Sequence, residues 1–366
     1  MPAVLRRVLL PSSPGAFRLW LALVVVLHHV TRLEIGKFPV LVFFALSGYW
    51  VERVWTARYA RTRHPWATFV ISRWWRLAPM MVVAALACVL AFIATHDPAV
   101  PALAGMVPRQ IFSSLFVLGY AQMPVRPVGP AWSLDIEIQF YFVAPLLFAI
   151  AARMRWPLAL FLAYLVYAIG IALYPELVLT SFLVPFVVGM LAARDEWRVS
   201  PRIGLAGQAL VIALVVLAYV SPWKAQLLDA GEDHWWPLFN IVLAALCLPQ
   251  ALVSVRSGEA EGEVGGGARD KLWADQSYVV YLLHWPAILV YRAVPWPDPA
   301  ARAQGLAGLA LLVGLACWAA HRWIDRPLNR ARARWVAGRH VGAVSRDATP
   351  TCSPASPLRY AGLGEG

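Results

Sequence analysis

The chain has 366 residues, of which 60% are hydrophobic and only 14% charged, and its mean hydropathy is +0.61. Soluble domains carry roughly 25% charged residues, so a water-facing globule of this composition is excluded. The net charge of +12 does not point to nucleic acid, because the basic residues sit in short loops between apolar runs, as they do in proteins oriented by the positive-inside rule.

Apolar runs near the length of a bilayer span, about 20 residues, recur from end to end. They fall near 17–33, 38–52, 76–95, 132–152, 156–174, 177–193, 203–220, 236–254, 276–294 and 303–324. The fold class expected is therefore an all-α integral membrane protein with ten transmembrane helices. Arg6 and Arg7 precede the first run, but no small-residue cleavage site follows it, so the run reads as a retained helix.

The first span contains FRLWLALVVVLHHV, with Arg18, His28 and His29 in or beside hydrocarbon, where ionisable groups are costly and usually functional. Arg18 and His29 are eleven residues apart, which places them on one helix face, about 16 Å apart along the axis. His28 points away from that face. The plainer alternative is a snorkelling arginine with histidines in helix–helix contacts. In the second span, Ser47-Gly48 suits close helix packing or backbone approach to a ligand.

SRWWRLAP, read as a loop before the third span, puts Arg73 and Arg76 at i, i+3. Paired guanidinium groups hold phosphate, although orientation charge and lipid headgroups compete for the same pattern. Residues 111–120 (IFSSLFVLGY) are apolar but too few to span. The fourth span opens PAWSLDIEIQFYFVAP, with Ser133 and Glu137 at i, i+4. An intramembrane carboxylate suits proton transfer or a structural ion pair. The ninth opens DQSYVVYLLHWPAIL, and aligns Ser277, Tyr281 and His284 on one face, where interhelical hydrogen bonding is the simplest role.

Stretch 257–270 is rich in Gly and Glu and reads as a flexible loop, and the tail from about 339 as disordered. The division expected is a membrane domain, 1–330, and a cytoplasmic tail, 331–366. Four cysteines are scattered without metal or disulfide spacing, so no metal site is expected.

With the N-terminus in the cytoplasm, only Arg32, Lys37, Arg109, Arg126, Lys224, Arg292 and Arg302 fall outside, against 25 Lys and Arg inside. Both termini are then cytoplasmic. Were 111–120 to span, the division would become 13 inside and 19 outside. A re-entrant or interfacial segment near 106–122, on the outer side, is the better reading.

Six motifs occur in order: Arg18-x10-His29; Phe43-Phe44-x-Leu46-Ser47-Gly48-Tyr49; Arg73-x2-Arg76-x2-Pro79; Trp132-Ser133-Leu134-x2-Glu137-x-Gln139-Phe140-Tyr141; Ser277-Tyr278-x2-Tyr281-Leu282-x-His284-x-Pro286; and Asp325-Arg326-Pro327. Together they resemble the membrane acyltransferase 3 family, which modifies O-antigens, exopolysaccharides and nodulation factors. The resemblance implies ten helices in the inner membrane, cytoplasmic acyl-CoA (acetyl-CoA foremost) as co-substrate, no bound cofactor, and an acceptor hydroxyl on a glycan or lipid-linked glycan. It implies His29 as the catalytic histidine, Glu137 as the glutamate beside it in function, and Arg18, Arg73 and Arg76 on the donor side. Ser47, Gly48, Trp132, Ser133, Tyr281 and His284 are supporting positions. The chain departs from the pattern at His28, which duplicates the histidine, and at Asp325, where Glu is usual. A fused extracytoplasmic domain is not expected. The rival reading is a glycolipid or small-molecule transporter, which also needs intramembrane charge.

Overall fold

The computed structural model describes residue 11 and residues 13–31, 33–174, 177–229, 235–260 and 267–340. Part of the expected 257–270 loop and the tail beyond 340 lie outside these. Regular structure among the described residues is helical, apart from a single bridge between Thr62 and His340. The larger helices are α1 (Pro14–Val30), α2 (Lys37–Ala57), α3 (Pro65–Ala94), α4 (Val107–Phe116), α5 (Trp132–Ala151), α6 (Trp156–Leu173), α7 (Leu183–Arg194), α8 (Pro201–Val220), α9 (Trp236–Ala260), α10 (Ala268–Ala293), α11 (Pro299–Ala320) and α12 (Arg326–Ala337). One π-helical turn, His321–Asp325, joins the last two. Proline opens α1, α3, α8 and α11, where its missing N–H has no intrahelical acceptor to lose.

Among the described residues, six helical segments are long and apolar enough to cross a membrane: Pro65–Ala94, Gly129–Ala151, Trp156–Leu173, Pro201–Val220, Trp236–Ser257 and Pro299–Ala337. The other four expected spans are also helices: α1, α2, α7 and α10. Two of these, α1 and α7, are short, and α2 and α10 carry charged and polar residues that dilute their hydropathy. Outward faces carry bare aliphatic side chains, such as Leu86, Leu90, Leu146, Leu217, Leu311 and Leu315. A water-soluble protein does not tolerate a continuous apolar exterior of this kind. The chain is a multi-pass membrane protein.

Two boundaries differ informatively from the expectation. Helix α3 begins at Pro65, not near 76, so Arg73 and Arg76 lie inside the helix rather than in a loop before it. Helix α10 begins at Ala268 instead of 276. In both, charged residues stand within a helix that runs on into an apolar span, because partners from other helices satisfy the charges that a hydropathy window rejects. Helix α12 runs through residue 330 to Ala337.

Close packing rests on glycine at one crossing. A Cβ on Gly48 would overlap the Phe186 carbonyl oxygen, and one on Gly189 the Ala45 carbonyl oxygen, so α2 and α7 meet backbone to backbone. Beside this crossing, Phe186 stacks on Phe44 and Phe140. Helices α1 and α10 lie alongside each other and run parallel. At one end the Asp270 carboxylate accepts hydrogen bonds from the backbone N–H groups of Gly15 (2.8 Å) and Ala16 (3.2 Å). At the other end the Arg292 guanidinium donates to the His29 carbonyl (2.5 Å). The free first-turn donors of α1 are thus satisfied by a carboxylate from a distant helix.

Helix α4, with Ile111, Phe112 and Phe116 exposed, turns back along α3. Its Leu115 carbonyl accepts from the Trp74 indole at 2.9 Å, about 30 Å along α3 from Ala94. Left-handed Val117 (φ 56) and Gly119 (φ 71) then reverse the chain. Ala121 N–H reaches the Asp135 carboxylate, 2.8 Å away in the first turn of α5. The segment thus runs back against α3 before α5 begins.

Candidate active site

A cavity of about 1030 Å³ opens among the α2–α3 corner, the starts of α1 and α10, and α12. Its lining includes nine basic side chains, Arg18, Arg53, Arg58, Arg61, Arg73, Arg76, Arg194, Lys271 and Arg332, against three acidic ones, Glu52, Glu137 and Asp275. The excess of positive charge in a partly desolvated space favours a polyanionic ligand.

Of the expected site residues, the cavity brings together Arg18, Ser47, Arg73, Arg76, Ser133, Glu137 and Tyr281. At its heart, Ser47 donates to Glu137 Oε1 at 2.8 Å, and the Tyr141 hydroxyl donates to the same oxygen. Arg18 shares the cavity with Arg73 and Arg76, and Glu137 is the carboxylate set among these guanidiniums. Arg73 lies over three rings, Tyr59 (5.8 Å), Phe69 (5.6 Å) and Tyr141 (5.7 Å). Planar, weakly hydrated guanidinium suits that stack better than ammonium does. Arg76 approaches Asp275 at 3.8 Å.

Asp275, His321 and Asp325 bring ligand-type atoms within 4.8 Å of one another. Asp325 is already held by Asn329 (2.9 Å) and His321 (3.3 Å), and Arg76 supplies the positive charge beside Asp275. The cluster is a buried ion network that seats Arg76.

The cavity stops at Tyr281, whose hydroxyl donates to the Pro130 carbonyl (2.9 Å) and accepts from Ser133 (2.7 Å). His29 and His284 lie beyond it and do not line the cavity. Ring contacts continue the path: Phe43 to Tyr281 at 6.1 Å, Tyr281 to His284 at 6.4 Å, and His284 to His29 at 5.4 Å. Trp285 meets His29 edge-on at 4.8 Å. The His284 ring is fully buried; its Nδ1 contacts the Val280 carbonyl of its own helix at 2.8 Å, and Nε2 has no hydrogen-bond partner among the described residues. The interhelical bond expected of this face is made by Tyr281, while Ser277 and His284 bond within α10.

His28 contacts the Leu33 carbonyl (2.7 Å) in the loop that follows its own helix, with Glu34 at 3.8 Å. That bond replaces the expected contact with a neighbouring helix. Gly48 packs on α7, and Trp132 joins Phe44 and Phe182 in an aromatic cluster. Sequence reasoning left Tyr59, Asp275 and Arg332 without a role. Asp275 heads the DQSY stretch beside a known motif, which is a usable signal. Arg332 is one of several arginines on a basic helix, and nothing in that pattern marks it.

The model for the family described as an acyltransferase domain matches residues 13–321. The chain belongs to this acyltransferase 3 family and is an acyltransferase. It is 28% identical to a protein named as a membrane-bound transacylase, BcsY, of Komagataeibacter xylinus, over 73% of this chain and 70% of that one. It is 29% identical to exopolysaccharide production protein ExoZ of Rhizobium meliloti (strain 1021), over 86% of this chain and 96% of that one. No solved structure matches.

Proposed function

We propose that the chain is an inner-membrane O-acyltransferase with ten spans, carrying an acyl group, acetyl foremost, from cytoplasmic acyl-CoA to a hydroxyl of a surface glycan or lipid-linked saccharide. The carrying observation is the alignment of a cation-lined cavity at one end of α1 with His29 at the other end. The termini of the described chain, the α2–α3 corner and α12 gather at the cavity end, and most arginines gather with them, which suits the cytoplasmic face. The name of ExoZ supports a polysaccharide acceptor.

In this reading the donor enters with its nucleotide at the basic mouth and its pantetheine arm directed along α1. Tyr281 and Ser133 must yield to let the thioester pass towards His284 and His29. His29 removes the proton of the acceptor hydroxyl, whose oxygen attacks the thioester carbon. The ester forms as the carbon–sulfur bond breaks and CoA thiolate leaves. Glu137 holds the charge balance around Arg18.

The test is purified protein reconstituted in vesicles and given radiolabelled acetyl-CoA with a glycan or lipid-linked saccharide. Labelled ester on the saccharide with free CoA released is the expected result. Movement of saccharide across the bilayer with no thioester cleaved would replace this reading with the transporter.

A further inference from the structure

Helix α12 is fastened to the α2–α3 corner. The Arg63 N–H donates to the Arg339 carbonyl at 3.1 Å, Thr62 bridges His340, and Trp75 meets Trp335 at 6.0 Å. From this helix Arg332 turns inward to line the cavity, and its Nη1 donates to the fully buried Ser72 hydroxyl at 3.2 Å. Ser72 in turn lies 2.7 Å from the Tyr59 hydroxyl.

Two features of this corner lack a protein explanation. The Nε groups of both Arg332 and Arg73 are buried with no hydrogen-bond partner among the described residues, and an unmet buried donor is costly. The charges acting on Arg332 include those of Arg76, Arg73 and Arg58, all of its own sign. Like charges gathered with spare donors fit an anion with several acceptor oxygens. Arg76, by contrast, already has Asp275.

We propose that Arg332, with Arg58 and Arg73 around Tyr59 and Ser72, forms a phosphate subsite for the nucleotide end of the donor, so that the helix after the last span is part of the binding site. This rests on the acyl-CoA reading above. The arginines of the cavity then divide the work between them. Arg73 and Arg332 hold phosphate, while Arg76, fixed by Asp275, stands deeper.

The experiment uses the full chain in phosphatidylcholine nanodiscs with three donors: acetyl-CoA, acetyl-dephospho-CoA and S-acetylpantetheine. Arg332→Gln should raise KM for acetyl-CoA about ten- to a hundredfold, leave kcat near wild type, and leave KM for S-acetylpantetheine unchanged. Arg332→Lys should recover part of the loss, and Arg330→Gln, on the exposed side of the helix, should cause none. Loss that persists with acetyl-dephospho-CoA assigns the pyrophosphate, and loss that disappears assigns the 3′-phosphate; both sustain the subsite. Binding of CoA itself, read as a thermal-unfolding shift, should weaken in parallel. Equal KM losses for acetyl-CoA and S-acetylpantetheine would overturn the proposal and make Arg332 a structural residue. An effect confined to stability in phosphatidylglycerol discs, with CoA affinity intact, would assign the corner to a lipid headgroup and overturn it also. A wild-type protein that neither binds CoA nor cleaves any of the donors would bring down the donor reading and this subsite together.

Discussion

At the scale of single residues, His28 and His29 are adjacent but differ in surroundings. His29 meets His284 and Trp285, and His28 is tied to the Leu33 carbonyl of the following loop. Under the proposed chemistry, His29→Ala should lower turnover by about the 10²–10⁴-fold that general-base catalysis typically contributes, with folding intact. His28→Ala should keep most activity and lose about 0.5–1.5 kcal/mol of stability with its hydrogen bond. Acyl transfer at matched expression and thermal unfolding check both, and a dead His28→Ala beside a live His29→Ala would reverse the assignment. Glu137→Gln keeps an oxygen to accept from Ser47 and Tyr141 but removes the charge that offsets Arg18. Turnover should fall with little change in unfolding temperature; unchanged turnover would remove charge balance from the mechanism. Which face a residue occupies was legible from helical spacing alone: Arg18 and His29 both turn inward, as do Tyr281 and His284. Depth was not. The eleven-residue interval that aligns Arg18 with His29 also separates them by about 16 Å, so they belong to different parts of the site. Only tertiary packing shows that Tyr281 closes the cavity between them.

At the scale of elements, each of the ten runs that hydropathy marked falls on a helix, but the starts of α3 and α10 were misplaced. A window sees Arg73 and Arg76 as charges that end a span. Three aromatic rings and Asp275 make them tolerable inside one, and such partners come from other elements. The stack also yields a test. Arg73→Lys keeps the charge but loses the planar contact with Tyr59, Phe69 and Tyr141, so donor affinity should fall nearly as far as in Arg73→Ala. Full rescue by lysine, measured by CoA binding, would show that charge alone matters there. The α2–α7 crossing yields another. Gly48→Ala should cost about 1–3 kcal/mol, the range for overpacking, since its Cβ would overlap the Phe186 carbonyl oxygen. Unfolding in detergent measures it, and a neutral result would mean the two helices separate more easily than their contact implies. Helix α12 was illegible for a different reason: a basic helix beyond the last span looks like orientation charge, and no spacing singles out Arg332.

At the scale of the whole molecule, the distribution of basic residues and the packing agree that the arginine-rich corners share one end. A reporter fused after Ala337 should therefore behave as cytoplasmic, and activity of a periplasm-dependent reporter there would overturn the proposed topology. The contact between Gly15 and Asp270 has a consequence for biogenesis. The two residues are 255 positions apart, and ribosomes add about 5–20 residues per second. The first helix therefore enters the bilayer on the order of 13–50 s before its parallel partner exists. For that interval its leading N–H groups have only lipid headgroups, water or the insertion machinery for company. Nascent chains stalled before Asp270 should be held as incomplete bundles, and the order of synthesis makes the basic cavity the last part of the protein to close.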